Sequence, residues 1–303
     1  MRYAVTGAAG FIGSHLAEAL QAAGHDVVGI DAFTDYYDPA LKEENARGLD
    51  VRRLDLAADE LDFAGLDGVF HLAARPGVRS FGDVFPHYLR DNVLATQRVF
   101  EAAVRDGVRV VFASSSSVYG EAERYPTPED ATPRPLSPYG ITKLTCEHLA
   151  RAYERSFGLD AVVLRYFNAF GPRQRPDMAF TRIALALASG EPFTLYGDGG
   201  QSRGWTYVSD VVDATILAME RGSGTYNVGG AHEVSLREAI ELFEQISGRV
   251  LEVREHPAVP GDQRRTNADT SRIRGELGWE PRVGVEEGLK AGWDWASARV
   301  AAR

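Results

Sequence analysis

Tyr3-Ala4-Val5-Thr6-Gly7-Ala8-Ala9-Gly10-Phe11-Ile12-Gly13-Ser14-His15 is the stretch whose reading decides the fold. A short run of buried-strand character meets three glycines, and an Ala/Leu-rich helical pattern follows to about Ala23. Strand, glycine turn and helix in that order suit a dinucleotide. Glycine lets the backbone turn tightly and approach a diphosphate, and the unpaired N–H groups of a helix N-terminus point at the anion. The spacing is G-x-x-G-x-x-G rather than G-x-G-x-x-G, so the flanking strand and helix carry the signal more than the glycines do. Gly7, Gly10, Phe11, Ile12 and Gly13 are therefore expected to hold a cofactor.

Outward from that turn the alternation continues. Asp26-Val27-Val28-Gly29-Ile30 reads as a second strand ending in Asp31, 18 positions after Gly13. A carboxylate there suits hydrogen bonds to a ribose diol and repels a 2′-phosphate, so NAD is expected over NADP. A capping aspartate in a turn is the plainer alternative. Leu54-Asp55-Leu56 follows a third strand, where the adenine is expected. Gly68-Val69-Phe70-His71-Leu72-Ala73-Ala74 is a fourth strand ending in small residues, which places Leu72, Ala73 and Ala74 against the cofactor. His71, inside an apolar run, reads as structural. A helical pattern runs from about Pro86 to Asp106 with Asn92 inside it, and Val108-Arg109-Val110-Val111-Phe112-Ala113 is the next strand. This alternation predicts a doubly wound parallel sheet whose ligands collect at the carboxyl ends of the strands. Ser114-Ser115-Ser116-Ser117 stands at such an end, either as a polar loop or as the source of a catalytic hydroxyl.

Ser137-Pro138-Tyr139-Gly140-Ile141-Thr142-Lys143 opens the following helix. Residues at i and i+4 share a helix face, so Tyr139 and Lys143 are neighbours. An ammonium beside a phenol lowers its pKa from about 10, which makes a general base at neutral pH. Such a pair also arises by chance on surfaces; the glycine turn and the serine run give it meaning.

The 303 residues are 44% hydrophobic, enough for one large domain or two ordinary ones. A net charge of −10 and the lack of a basic stripe argue against nucleic acid. Cys146 is the only cysteine, which excludes an internal disulfide and a cysteine-rich metal site and suits a cytoplasmic setting. No metal is expected. The first residues read directly as a strand, so no signal peptide is expected, and no apolar run is long enough to span a membrane.

Taken together, the three glycines, Asp31, His71-Leu72-Ala73-Ala74, Ser115 through Gly120, Tyr139 with Lys143, and Arg165-Tyr166-Phe167-Asn168 resemble an extended short-chain dehydrogenase/reductase of the sugar-nucleotide-modifying kind, over nearly the whole chain. The resemblance implies a Rossmann domain holding NAD tightly, with Ser115, Tyr139 and Lys143 as a catalytic triad and Ser116 as the alternative hydroxyl. Asn92 and Tyr166 join the expected cofactor residues. Family dehydratases and decarboxylases usually carry an acidic residue just before Val118-Tyr119-Gly120; Ser117 stands there instead. Asp35-Tyr36-Tyr37-Asp38-Pro39 with Leu41-Lys42 is similar to an insertion of the UDP-glucuronate 4-epimerases. Gly171-Pro172-Arg173-Gln174-Arg175-Pro176-Asp177-Met178 resembles the loop of that subfamily whose arginine meets the sugar carboxylate, by position Arg175. Two departures blur the substrate. Asn168 stands where glucuronate enzymes often have threonine, and Gly204-Trp205 replaces the usual Asp-Phe after Arg203.

Residues 1–170 are expected to form the NAD-binding domain, with segments near 204–221 returning to it, and 171–303 a smaller, mixed α/β nucleotide-sugar domain. The resemblance places Arg203 on the diphosphate and Asp262 on the uridine ribose; Arg264 or Arg265 is a further diphosphate candidate, and Tyr196 is placed to stack on uracil. Arg79, Ser116, Ser117 and Asn168 complete the expected substrate contacts. Asp210 is expected to cap a helix, and Trp279, Trp293 and Trp295 to pack. The expected activity is NAD-dependent 4-epimerisation of a UDP-sugar, foremost UDP-glucuronate to UDP-galacturonate through a transient 4-keto sugar. The alternatives are UDP-glucose/UDP-galactose epimerisation, UDP-glucuronate decarboxylation, and a non-catalytic NAD-binding scaffold. The pattern at 86–106 and the helix after Tyr139 resemble the pair through which the family forms homodimers.

Overall fold

A computed structural model describes residues 1–77, 81–230, 232–258 and 264–302. Six strands, β1 (Arg2–Thr6), β2 (Asp26–Asp31), β3 (Val51–Arg53), β4 (Gly68–His71), β5 (Val110–Ser115) and β6 (Ala161–Tyr166), form a parallel sheet with a seventh strand, Gly224–Val228. The order is (Gly224–Val228)-β6-β5-β4-β1-β2-β3. The chain winds away from β1 toward β3, then restarts on the other side with β4. The strand order reverses at β1/β4, which is where a doubly wound sheet opens a crevice. β4 and β5 are buried throughout, because helices cover both faces.

One face packs on α1 (Phe11–Ala22), on the helix Val208–Arg221 and on Trp279, through Leu16, Leu20, Val211 and Met219. The other packs on the helices Ala95–Asp106 and Pro138–Phe157, through Val99, Phe100, Cys146 and Ala150. The helix Val208–Arg221 and the strand after it belong to the large sheet, so the return to the first domain runs on to Val228, beyond the expected 221. Phe170, Phe180, Trp205 and Phe243 form a separate core, with Trp293 and Trp295 packed against it.

Two local readings change. The pattern over 86–106 is interrupted: Phe85–Tyr88 is α-helical, Leu89–Leu94 is a π-turn, and α-helix resumes at Ala95. Such a bulge re-aims the residues it carries, and here Asn92 is buried. Asp210 is not a helix cap. It lies within the first turn, accepts from Val283 N at 3.1 Å, and lends its carbonyl to Trp279 Nε1 at 2.9 Å. It therefore ties the C-terminal segment to the sheet.

Candidate active site

A cavity of about 750 Å³ runs along the carboxyl ends of the central strands. One end is made of backbone. Gly7 has a φ of 72°, which glycine alone adopts without strain. A Cβ on Gly13 would lie 2.1 Å from the Gly7 carbonyl oxygen, and one on Gly7 would lie 3.0 Å from the Ala73 backbone. The turn is thus packed to the limit, and α1 starts behind it with no side-chain cap. Asp31 closes this end: its carboxylate accepts from Ala9 N at 3.1 Å and Phe33 N at 2.7 Å. Leu56, Leu72, Ala73 and Ala74 line the same region, and Asp55 there pairs with Arg90. A cradle that any side chain would fill, over free helix N–H groups and beside an acidic strand end, fits a dinucleotide.

The middle of the cavity holds the serine run and the Tyr139 helix. Ser137 caps that helix by accepting from Gly140 N at 3.1 Å, and Pro138 occupies its first position. This fixes Tyr139 in the first turn and Lys143 one turn on. The Ser115 hydroxyl faces the cavity beside Tyr139, where it helps to lower the phenol's pKa, and accepts from Ser117 N at 3.1 Å. Ser114 points the other way, to the buried Glu147 that pairs with Arg165. Strand alternation therefore turns Ser115, the last residue of β5, toward the cavity, and Ser116 lines it from the turn that follows.

Lys143 follows Tyr139 on the same helix and reaches the backbone of β5. Its Nζ donates to the Ala113 carbonyl at 2.6 Å and lies 5.8 Å from the Tyr139 ring centre. Burial lowers the Lys143 pKa to about 8. Burial pushes the Tyr139 phenol up, and what draws it back is the charge of Arg175 and the Ser115 hydrogen bond. The Arg175 guanidinium adds a positive charge that favours the Tyr139 phenolate, alongside the Lys143 ammonium one turn away.

At the far end Arg175 lines the cavity, paired with Asp177 at 2.9 Å. Tyr36 stands between two guanidinium groups, 5.8 Å from Arg175 and 5.5 Å from Arg75. Asn168 donates to Thr266 Oγ1 at 2.8 Å and, with Tyr166, Tyr196 and Arg203, lines the wall. Ser116 and Ser117 line it too.

Other expected residues are placed elsewhere. Asn92 is off the wall: its amide clamps the Arg75 backbone, accepting from Arg75 N at 2.6 Å, and donates to Thr142 at 3.0 Å. It acts on the cavity through the 73–77 loop. Arg264 faces Asp198 and Arg265 faces Glu233, both outside the cavity. His71 is buried between the Thr6 and Thr96 hydroxyls, at 2.8 and 3.0 Å. Arg79 and Asp262 lie outside the described residues. The sequence reading gave no role to Tyr36, Arg75 or Gln174. For Tyr36 a signal was present: Asp38 accepts from Ala40 N at 2.9 Å and Pro39 follows it, which marks a helix start. The tyrosines just before it must then lie in the loop over the cavity.

A model described as the NAD dependent epimerase/dehydratase family matches residues 3–229. A Bacillus subtilis protein described as an uncharacterized UDP-glucose epimerase is 42% identical, the match covering 95% of this chain and 96% of that one. Among solved structures, the Bacillus cereus UDP-glucuronic acid 4-epimerase in complex with UDP-glucuronic acid and NAD is similar at a TM-score of 0.95 and 39% identity, covering 99% of this chain and 100% of that one. The Thermotoga maritima UDP-glucose 4-epimerase with UDP-glucose is similar at 0.91 and 32% identity, covering both chains fully at 100%.

Proposed function

This chain belongs to the NAD-dependent epimerase/dehydratase family, and from that premise we propose that it is an isomerase that inverts C4 of a UDP-sugar, UDP-glucuronate before UDP-glucose. The observation that carries the uronate reading is the Arg175 guanidinium, which lines the cavity and acts electrostatically on Tyr139. A cation sharing the cavity with the base suits a carboxylate on the carbon next to the reacting one. The two families of relatives, glucuronate and glucose enzymes, agree with the reaction and differ in the sugar.

NAD, held on the glycine turn with its ribose at Asp31, supplies the hydride acceptor and donor for C4. The chain's own residues handle protons and position. Tyr139 takes the proton of the 4-hydroxyl and later returns it. Ser115 bonds the phenol, steadies the phenolate and shares the hydroxyl. Lys143, fixed on the Ala113 carbonyl, would hold the nicotinamide ribose when NAD is bound. Arg203 and Tyr196 hold the nucleotide while the sugar presents either face.

The 4-keto uronate formed in between is a β-keto acid, which loses carbon dioxide when its C5–C6 bond aligns with the ketone. Arg175, with the Ser116 and Ser117 hydroxyls, holds the carboxylate out of that alignment. Ser117 in place of an acidic residue removes the acid/base that family decarboxylases use. Incubation with UDP-glucuronate and NMR of the products tests the reading: UDP-galacturonate supports it, UDP-xylose favours decarboxylation, and turnover of UDP-glucose alone moves the substrate to neutral sugars.

We further propose a homodimer. Leu89, Leu94 and Ile141 are exposed on the two neighbouring helices at 44–45%, an apolar face suited to a second copy. A mass of 33.1 kDa alone in light scattering rejects it. The single buried cysteine suits a cytoplasmic setting, and no helix among the described residues is long and apolar enough to cross a membrane.

A further inference from the structure

Behind the cavity wall, the helix that starts at the glycine turn grips the loop that delivers Arg175. His15 lies one turn into α1. Its Nδ1 is 3.0 Å from Arg173 Nη2, and a guanidinium can only donate, so Nδ1 accepts. The imidazole proton therefore sits on Nε2 and is donated to the Pro172 carbonyl at 3.0 Å. Glu18, the next residue on that face of α1, takes both terminal nitrogens of Arg173, at 2.8 and 2.6 Å. This two-point fork fixes direction as well as distance.

The fork holds a strained backbone. Arg173 has a φ of 65°, a left-handed conformation that a side chain disfavours. Beyond it Gln174 is buried, donates to the Ala169 carbonyl at 2.8 Å and accepts from Thr181 at 3.1 Å. The next residue is Arg175, facing the cavity. Arg173 is itself only 18% exposed at the side chain, unlike the open ion pairs elsewhere on the surface.

We propose that Arg173 is a positioning residue for substrate choice. Its fork to Glu18, backed by His15, holds the left-handed turn that aims Arg175 at the sugar carboxylate. The cofactor helix and the uronate subsite are thereby one mechanical unit. This rests on the uronate reading given above. A neutral sugar has nothing for Arg175 to pair with, so the fork matters little to it.

Kinetics of the NAD-loaded enzyme test this in two variants. Arg173→Gly removes the fork but still takes the left-handed turn; Glu18→Gln weakens the fork from the other side. KM for UDP-glucuronate should rise about tenfold in each, with kcat and the inhibition constant of UDP-glucose as a competitor changed less than about twofold. Parallel loss for both sugars would show a merely structural tie and overturn the inference, as would no change in either variant. Failure of the unaltered chain to turn over UDP-glucuronate would overturn the uronate reading and the inference together.

Discussion

The two ends of the cavity are built by different means. At the dinucleotide end the wall is main chain: a left-handed Gly7, a Gly13 with no room for a Cβ, and strand-end residues in register with their neighbours. At the sugar end the wall is side chains from separate stretches. Tyr36 comes from the loop before α2 (Pro39–Asn45), Arg75 from the loop after β4, and Arg175 from the loop held by α1. The difference teaches that the first end leaves no room for a side chain. On the proposed function the second end chooses the sugar, and being made of separate side chains it can be altered piece by piece.

The largest effect should come where the two ends meet. Tyr139→Phe removes the proton acceptor and should lower turnover by roughly 10³-fold or more while nucleotide-sugar binding persists. Binding by calorimetry alongside a product assay checks this, and near-normal turnover would refute the role. At the backbone end, Gly13→Ala places a methyl 2.1 Å from the Gly7 carbonyl oxygen. The purified protein should then lose its bound NAD, seen as a fall in the ultraviolet absorbance of cofactor released on denaturation. Full retention would break the contrast.

Arg175→Ala should be milder and selective. It should reduce kcat/KM for UDP-glucuronate by about 10- to 100-fold through the lost charge pair. It should also have a pH signature. Burial raises the Tyr139 pKa and the Arg175 charge lowers it. Activity carried by the phenolate therefore rises with pH, and without Arg175 that rise should move to higher pH. An unmoved profile would separate Arg175 from the base.

The smallest effect concerns His71, which the sequence suggested was structural. Burial lowers its pKa from 6.5 to about 3. The unfolded chain binds this proton below about 6.5 and the folded chain does not, so stability falls as pH drops from there toward 3, by at most about 1.4 kcal/mol per unit. Melting temperatures of His71→Gln should depend less on pH between 5 and 7 than those of the unaltered chain. Equal slopes would contradict it.

Legibility in the sequence followed the same divide. The sheet could be read because strand alternation, glycines and the Ser137-Pro138 helix start are local signals. So could the placement of Tyr139 and Lys143 together, since one helix fixes both. Choosing between Ser115 and Ser116 needed the strand to end at Ser115, a one-residue matter that flips the side chain to the other face. The Ala113 carbonyl that holds the Lys143 ammonium was not legible, because spacing gives a shared helix face but not the strand lying against it. The bulge that turns Asn92 onto the Arg75 backbone was not legible, because a π-helical turn is invisible to a 3.6-residue period. Arg173, Tyr36 and Arg75 act through partners far away in sequence, such as Glu18, 155 residues from Arg173. No local pattern reports that.

The central claim is that this cavity epimerises a uronate and keeps its carboxylate. The most direct measurement is proton NMR of UDP-glucuronate incubated with the NAD-loaded protein. The account predicts a mixture of UDP-glucuronate and UDP-galacturonate with no carbon dioxide released. UDP-xylose or its 4-keto precursor as the main product, or no change in UDP-glucuronate while UDP-glucose is converted, would contradict it.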